Sequence, residues 1–213
     1  MRTGGAHRAG MQLPNTSSRK CVLLLTAIVV VVATAMLGAF SAAPAVAAAC
    51  PPPPTPLQPF APWNDTHDYV LTTGGSFEQG AAAWTLTGGA AIVKGNAPNK
   101  YDASSDSQSL FLPAGSSATS PCVTAPMIKG IVRFYAKNLG TSAGALDVQI
   151  LVKGGVYDAG TITAGNGWGP SPMVVSTAPN YSGAVAYQVR LTPVGAGAAF
   201  DVDDVYFDPY CSR

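Results

Sequence analysis

Apolar positions recur at every second residue in three stretches of the chain. Leu146, Val148, Ile150 and Val152 alternate with Asp147, Gln149 and Lys153, and Leu151 is the one apolar residue out of step. Val185, Tyr187, Val189 and Leu191 alternate with Gln188, Arg190 and Thr192, and Val132, Phe134 and Ala136 alternate with Arg133, Tyr135 and Lys137. Successive side chains of a strand point to opposite faces, so these patterns predict half-buried antiparallel strands, polar on one face. Shorter candidates are Tyr69–Thr72, Ala83–Thr87, Ala91–Lys94, Ser109–Leu112, Thr161–Thr163, Met173–Ser176 and Ala199–Phe207. Glycine punctuates the chain from Asp68 onward. The longest stretch free of Gly and Pro, Asn99–Leu112, has no 3.6-residue apolar period. Many short strands with frequent turn signals and no convincing helix predict an all-β chain, an antiparallel β-sandwich.

The beginning of the chain breaks this pattern. Arg2, Arg8, Arg19 and Lys20 precede an apolar run, Val22 to Phe40, and a small-residue stretch, Ser41 to Ala49. That order describes a secretory signal over residues 1–49, cleaved on export. The apolar run approaches the ~20 residues that span a bilayer, so an uncleaved anchor is the alternative. Cys50 directly follows three alanines, which adds a lipid-anchored reading through an acylated Cys50, although Ala47 stands where a Leu-like residue is usual. Residues 50–66, opening with Cys50-Pro-Pro-Pro-Pro-Thr-Pro, read as an extended, solvent-facing arm or linker. Phe60 and Trp63 are candidates for pinning it to the domain, residues 67–213. After cleavage no membrane span is expected.

Charge narrows the function. Past residue 49 the chain carries eight Lys and Arg against eleven Asp and Glu, a net charge of −3. No basic patch is available to neutralise phosphates, which argues against nucleic acid. His67 is the one histidine outside the signal, and no nucleophile elbow, H-E-x-x-H or C-x-x-C motif occurs. A non-enzyme is therefore expected. Cys50, Cys122 and Cys211 suit an oxidising compartment and allow one pair with one left over.

Two acidic motifs stand out. Gly74-Gly75-Ser76-Phe77-Glu78-Gln79-Gly80 is followed by Trp84, and the chain ends on Phe200-Asp201-Val202-Asp203-Asp204-Val205-Tyr206. Two adjacent acids in an apolar strand put at least one carboxylate inward in any regular register. Such a group needs a partner: either an oxygen-seeking cation such as Ca2+ or loop amides at a sheet edge. Sugar binding calls for exposed rings that stack on pyranose faces. Trp84, Trp168 and Tyr187 fall in strand-like segments and read as core. Tyr101, Tyr157 and Tyr181 fall in polar or glycine-rich loops and are the ligand-binding candidates.

The two acidic motifs resemble the two ends of a galactose-binding-like jelly roll, the fold of carbohydrate-binding modules of families four, nine and twenty-two. That resemblance implies a structural Ca2+ on Glu78 and Asp203, with Asp204 as the substitute. A longer likeness covers nearly all of the mature chain. It runs from Cys50 and Pro59-Phe60-Ala61-Pro62-Trp63-Asn64-Asp65 through Trp84-Thr85-Leu86-Thr87-Gly88-Gly89-Ala90 and Ser109-Leu110-Phe111-Leu112-Pro113 to Asp203-Asp204-Val205-Tyr206-Phe207-Asp208-Pro209-Tyr210. It is similar to an uncharacterised secreted bacterial family. This second resemblance implies a Cys50–Cys122 disulfide, since Cys211 is outside the family's usual ending. The expected function is a secreted, noncatalytic binding module with an extracellular glycan as partner. The alternative is a structural or adhesive envelope domain that meets a protein.

Overall fold

The computed structural model describes residues 49–81, 83–98, 105–127 and 130–209. Residues 1–48 of the signal segment, Tyr101 and Cys211 lie outside them.

A 3-10 turn, Ala61–Trp63, precedes thirteen strands. They are β1 (Val70–Leu71), β2 (Thr85–Thr87), β3 (Ala91–Lys94), β4 (Gln108–Leu112), β5 (Ser117–Thr119), β6 (Val123–Met127) and β7 (Ile131–Asn138). Then follow β8 (Ala145–Val152), β9 (Gly155–Ile162), β10 (Gly169–Pro170), β11 (Val174–Val175), β12 (Tyr181–Val194) and β13 (Phe200–Asp208). One sheet has the order β10-β7-β13-β4-β3, with β1 on β13 and β11 on β7. The other has the order β2-β5-β12-β8-β9, with β6 on β12. The two antiparallel sheets form a β-sandwich, as the patterning predicts.

The facing surfaces make the core. Leu110, Leu112, Phe134, Phe200, Val202 and Phe207 from the first sheet meet Leu146, Val148, Ile150, Val189 and Leu191 from the second. Burying each such side chain stabilises by roughly 1.5–3 kcal/mol, so the alternating positions fix which face turns inward. Strand β8 reproduces the predicted alternation residue by residue. Strand β6 holds Pro126, which lacks an N–H for a second partner, and pairs with β12 alone.

Strand β7 departs from the expected half-burial, and β13 beside it is buried on both faces as well. All nine residues of β13 and all but one of β7 are buried. The cause is the arm, which folds over the outer face of the first sheet. Phe60 is fully buried there, its ring 5.2 Å from Tyr69, 5.4 Å from Tyr135 and 5.6 Å from Tyr206. The Arg133 guanidinium sits 4.2 Å above the same ring and bonds Asp65 and the Ser171 carbonyl. Residues 50–66 are thus not a solvent-facing linker throughout. Pro59, Phe60 and Asp65 are buried and pin them, Trp63 lies against Tyr135, and most of the remaining residues of the segment face water. The compact unit spans Ala47–Arg213, with the arm inside it.

Two further ties hold the arm. Cys50 and Cys122 form a disulfide, the pair the family resemblance implies, with their Cα atoms 5.3 Å apart. Leu57 and Tyr69 exchange two backbone hydrogen bonds of 2.7 Å.

Candidate functional site

The acidic motifs do meet, because β1 and β13 pair as the first and last strands. The Gly74–Gly80 loop lies against β13. Val205 accepts from the Thr72 amide and hydroxyl, and its own amide donates to Gly75. A Cβ on Gly75 would stand 2.9 Å from the Val205 carbonyl oxygen, so glycine is needed for this approach.

The acids themselves are occupied. Glu78 accepts from the amides of Ser107 and Gln108 at 2.8 and 2.7 Å and from the Ser107 hydroxyl at 3.2 Å. Asp203 accepts from the Ala97 amide at 2.8 Å and from the Asp204 amide at 2.9 Å. Among the described residues no three His, Cys, Asp or Glu side chains are grouped to hold a metal ion. Glu78 and Asp203 thus each accept backbone amides, one of the two kinds of partner the sequence allowed. Both acids of the Asp203-Asp204 pair are buried, in a register that is not regular. A β-bulge between Asp203 and Tyr206 adds one residue, and Asp204 takes φ +47°. Val202 and Val205 both reach the core, and the two acids fall between them.

The aromatic candidates separate. Trp84 and Tyr187 are core, as expected. Trp168 is not in the inter-sheet core: it packs half-buried against the arm's cluster, with the Lys137 ammonium 5.0 Å from its ring. Tyr157 and Tyr181 lie on β9 and β12 and not in loops; glycines in both stretches mask the strand pattern. Tyr157 neighbours Tyr181 and raises its pKa, and burial adds to the shift.

Sequence reasoning missed the open outer face of the second sheet as a site. Thr85 lies opposite Thr119, Thr119 opposite Arg190, Arg190 opposite Gln149, and Gln149 opposite Asp158. That is one polar row across five strands. In the next row Thr87 is opposite Ser117, and Thr192 and Thr161 flank Asp147. All of these residues except Asp158 and Thr161 line a groove of about 520 Å3. Farther along the same strands, Gln188, Leu151 and Val156 make a more apolar row. It lies in a second groove of about 520 Å3 that reaches the Cys50–Cys122 disulfide. The out-of-step Leu151 was the sequence signal for this floor.

Both hydrogen-bonding signs are present in the polar rows. Arg190 makes no ion pair among the described residues and touches Thr119 Oγ1 at a long 3.4 Å. Burial raises the Asp147 pKa, the charge of Asp158 raises it further, and a hydrogen bond from Gln149 opposes both. Such a face offers donors and acceptors to a ligand carrying many hydroxyls, with C–H surface accommodated on Leu151 and Val156.

No protein-family model and no curated protein matches the chain. Solved structures similar to it include carbohydrate-binding modules and an enzymatically active domain of a bacteriophage CBA120 tailspike protein. TmCBM61, solved with β-1,4-galactotriose, is 16% identical over 64% of this chain and 96% of its own, with a TM-score of 0.44. The CBM22-1 xylan-binding domain of Paenibacillus barcinonensis Xyn10C is 20% identical over 62% and 90%, with a TM-score of 0.43. The C-terminal CBM6 of LamC from Zobellia galactanivorans is 12% identical over 59% and 92%, with a TM-score of 0.39.

Proposed function

We propose that the chain is a secreted, noncatalytic binding module that holds a glycan in the groove on the outer face of its second sheet. The observation that carries this reading is the pair of polar rows centred on Arg190, Gln149 and Asp147, arranged across an open face with few bonds among themselves. Guanidinium, amide and carboxylate groups each bond adjacent sugar hydroxyls in pairs, which fixes ring orientation. No aromatic side chain lines either groove among the described residues. Affinity then rests on hydrogen bonds of roughly 0.5–1.5 kcal/mol each, and a Kd of about 0.1–1 mM is expected. Export is supported by the basic, apolar and small-residue order of residues 1–49 and by a disulfide. A disulfide-bonded Cys50 has no thiol for acylation, which favours free secretion over a lipid anchor.

Calorimetric titration of residues 50–213 with neutral oligosaccharides, with and without Ca2+, tests the reading. Arg190→Ala and Gln149→Ala should each weaken binding about tenfold, and no heat with any glycan would reject it. The structural Ca2+ on Glu78, Asp203 and Asp204 belongs to the same proposal but needs its own measurement. A melting temperature that falls in chelator, with the response lost in Glu78→Gln, supports the ion; an unchanged melt leaves the carboxylates as amide caps. An adhesive domain is the second reading, and the exposed Val156 beside the half-buried Leu151 favours it. A protein partner lost in Val156→Asp but not in Arg190→Ala would establish it.

A further inference from the structure

The apolar groove ends at the β8–β9 turn, and the turn carries a residue that local geometry disfavours. Val152 pairs with Gly155, so Lys153-Gly154 is a two-residue hairpin loop, with φ +48° and +75°. Turns of this kind are favoured by Asn-Gly, because an unbranched polar Asn tolerates positive φ better than a long side chain does. A lysine held there is a local conflict that stability does not explain.

Its surroundings give the ammonium a task. The Lys153 Nζ stands 4.7 Å from the Tyr181 ring centroid. Together with Asn180, Tyr181 and Ser182 it lines a hollow of about 220 Å3, and it also lines the apolar groove. Tyr157 stands beside the turn as well, since a Cβ on Gly155 would come within 2.7 Å of its ring. Lys153 has no ion pair among the described residues, and no carboxylate lines the hollow. The lining is therefore rich in donors: an ammonium, an amide and hydroxyls.

We propose that this hollow binds the carboxylate of an acidic sugar, so that the groove prefers uronate-bearing glycans to neutral ones. The inference rests on the glycan reading of the groove and adds a subsite at one end of it. Lys153 supplies the charge, while Tyr181 and Ser182 supply hydroxyl donors to the second carboxylate oxygen. A sulfate ester would present the same charge to the same donors.

The test is a matched set of probes on the intact 50–213 chain: cello-oligosaccharides, the same chains oxidised to carboxylate at C6, and the same chains sulfated at C6. The carboxylated chain should bind about tenfold tighter than the neutral one, a preference that shrinks in 1 M salt. Lys153→Asn should abolish the preference while keeping neutral binding, and its melting temperature should hold or rise because Asn suits the turn. Tyr181→Phe should lower the preference two- to threefold. A sulfated chain that outbinds the carboxylated one overturns the carboxylate assignment. Equal affinity for neutral and carboxylated chains overturns the subsite and leaves the groove reading standing. So does a preference that survives Lys153→Asn but not Arg190→Ala. Binding of none of the three removes the groove reading and the subsite with it.

Discussion

The outer faces of the two sheets began as similar sequence and ended differently. Strand β7 offers Arg133, Tyr135 and Lys137 outward, and β12 offers Gln188, Arg190 and Thr192. On the first sheet the arm closes over that face, and Arg133 is nearly excluded from water, bridging Asp65, Phe60 and Ser171. On the second sheet nothing covers the face among the described residues, and Arg190 is left without an ion partner. A polar sheet face becomes structure when the chain supplies its own roof and becomes a candidate site when it does not.

Equivalent substitutions should separate the two faces. Arg133→Ala strands a buried Asp65 carboxylate and should destabilise by about 3–5 kcal/mol, and Phe60→Ala should lose about as much through the cavity it leaves. Arg190→Ala, on the open face, should stay within about 0.5 kcal/mol of the parent. Chemical denaturation of the three variants checks this, and an Arg190→Ala loss as large as that of Arg133→Ala would erase the distinction.

The disulfide tests how much the roof depends on its tether. Cys50 and Cys122 are 72 residues apart, and the chain-entropy treatment assigns such a crosslink about 4 kcal/mol, less any strain. Reduction should therefore lower the melting temperature strongly. If the roof folds as part of the domain, Phe60→Ala should still destabilise the reduced protein.

Much of the open face was legible from alternation, since β8 and β12 bury every second side chain. The roofed face was not. Period two reports burial on one side, and a covering segment distant in sequence leaves no periodic mark on β7. Strand β13 showed another limit: its four acids gave no sign of burial on both faces, and the bulge at Asp203–Asp204 is invisible in residue types. Small or glycine-rich strands, β5 and the first part of β9, carried too little side chain to register. The polar groove was illegible because its residues come from five strands and only the sheet order makes them neighbours. Phe60, in contrast, was readable as a pin because one large apolar residue in a proline-dense arm has few other uses.

Acid should loosen the roof first. Burial alone would raise the Asp65 pKa, but hydrogen bonds from Tyr69, His67 and Arg133 outweigh it and hold the group at about 2, against 3.8 for an unperturbed aspartate. A depressed folded-state pKa contributes stability that is present above the unfolded value and lost as pH falls through the folded one. About 2 kcal/mol should therefore disappear between pH 4 and pH 2. Melting curves across that window should fall more steeply for the parent than for Asp65→Asn, which has no carboxylate to protonate. Parallel curves would mean that the clamp adds nothing to the roof.

The smallest effect on stability belongs to Asp147 on the open face, and its sign is opposite. Burial and the neighbouring charge of Asp158 raise its pKa, so the folded protein holds this proton more tightly than the unfolded chain does. That contribution is fully present below the unfolded pKa and is lost as pH rises through the folded one, leaving the ionised group a small liability at neutral pH. Asp147→Asn should accordingly melt slightly higher than the parent at pH 7 and no higher at pH 3. On the glycan reading, the same substitution replaces a carboxylate able to accept two sugar hydroxyls with an amide that accepts on one side only, so glycan binding should weaken as stability improves. In the parent, binding should also decline on acidification at a pH above that expected for an ordinary aspartate. A variant that gains stability and keeps its affinity would show that Asp147 is surface chemistry without a ligand, and that the openness of this face has another cause.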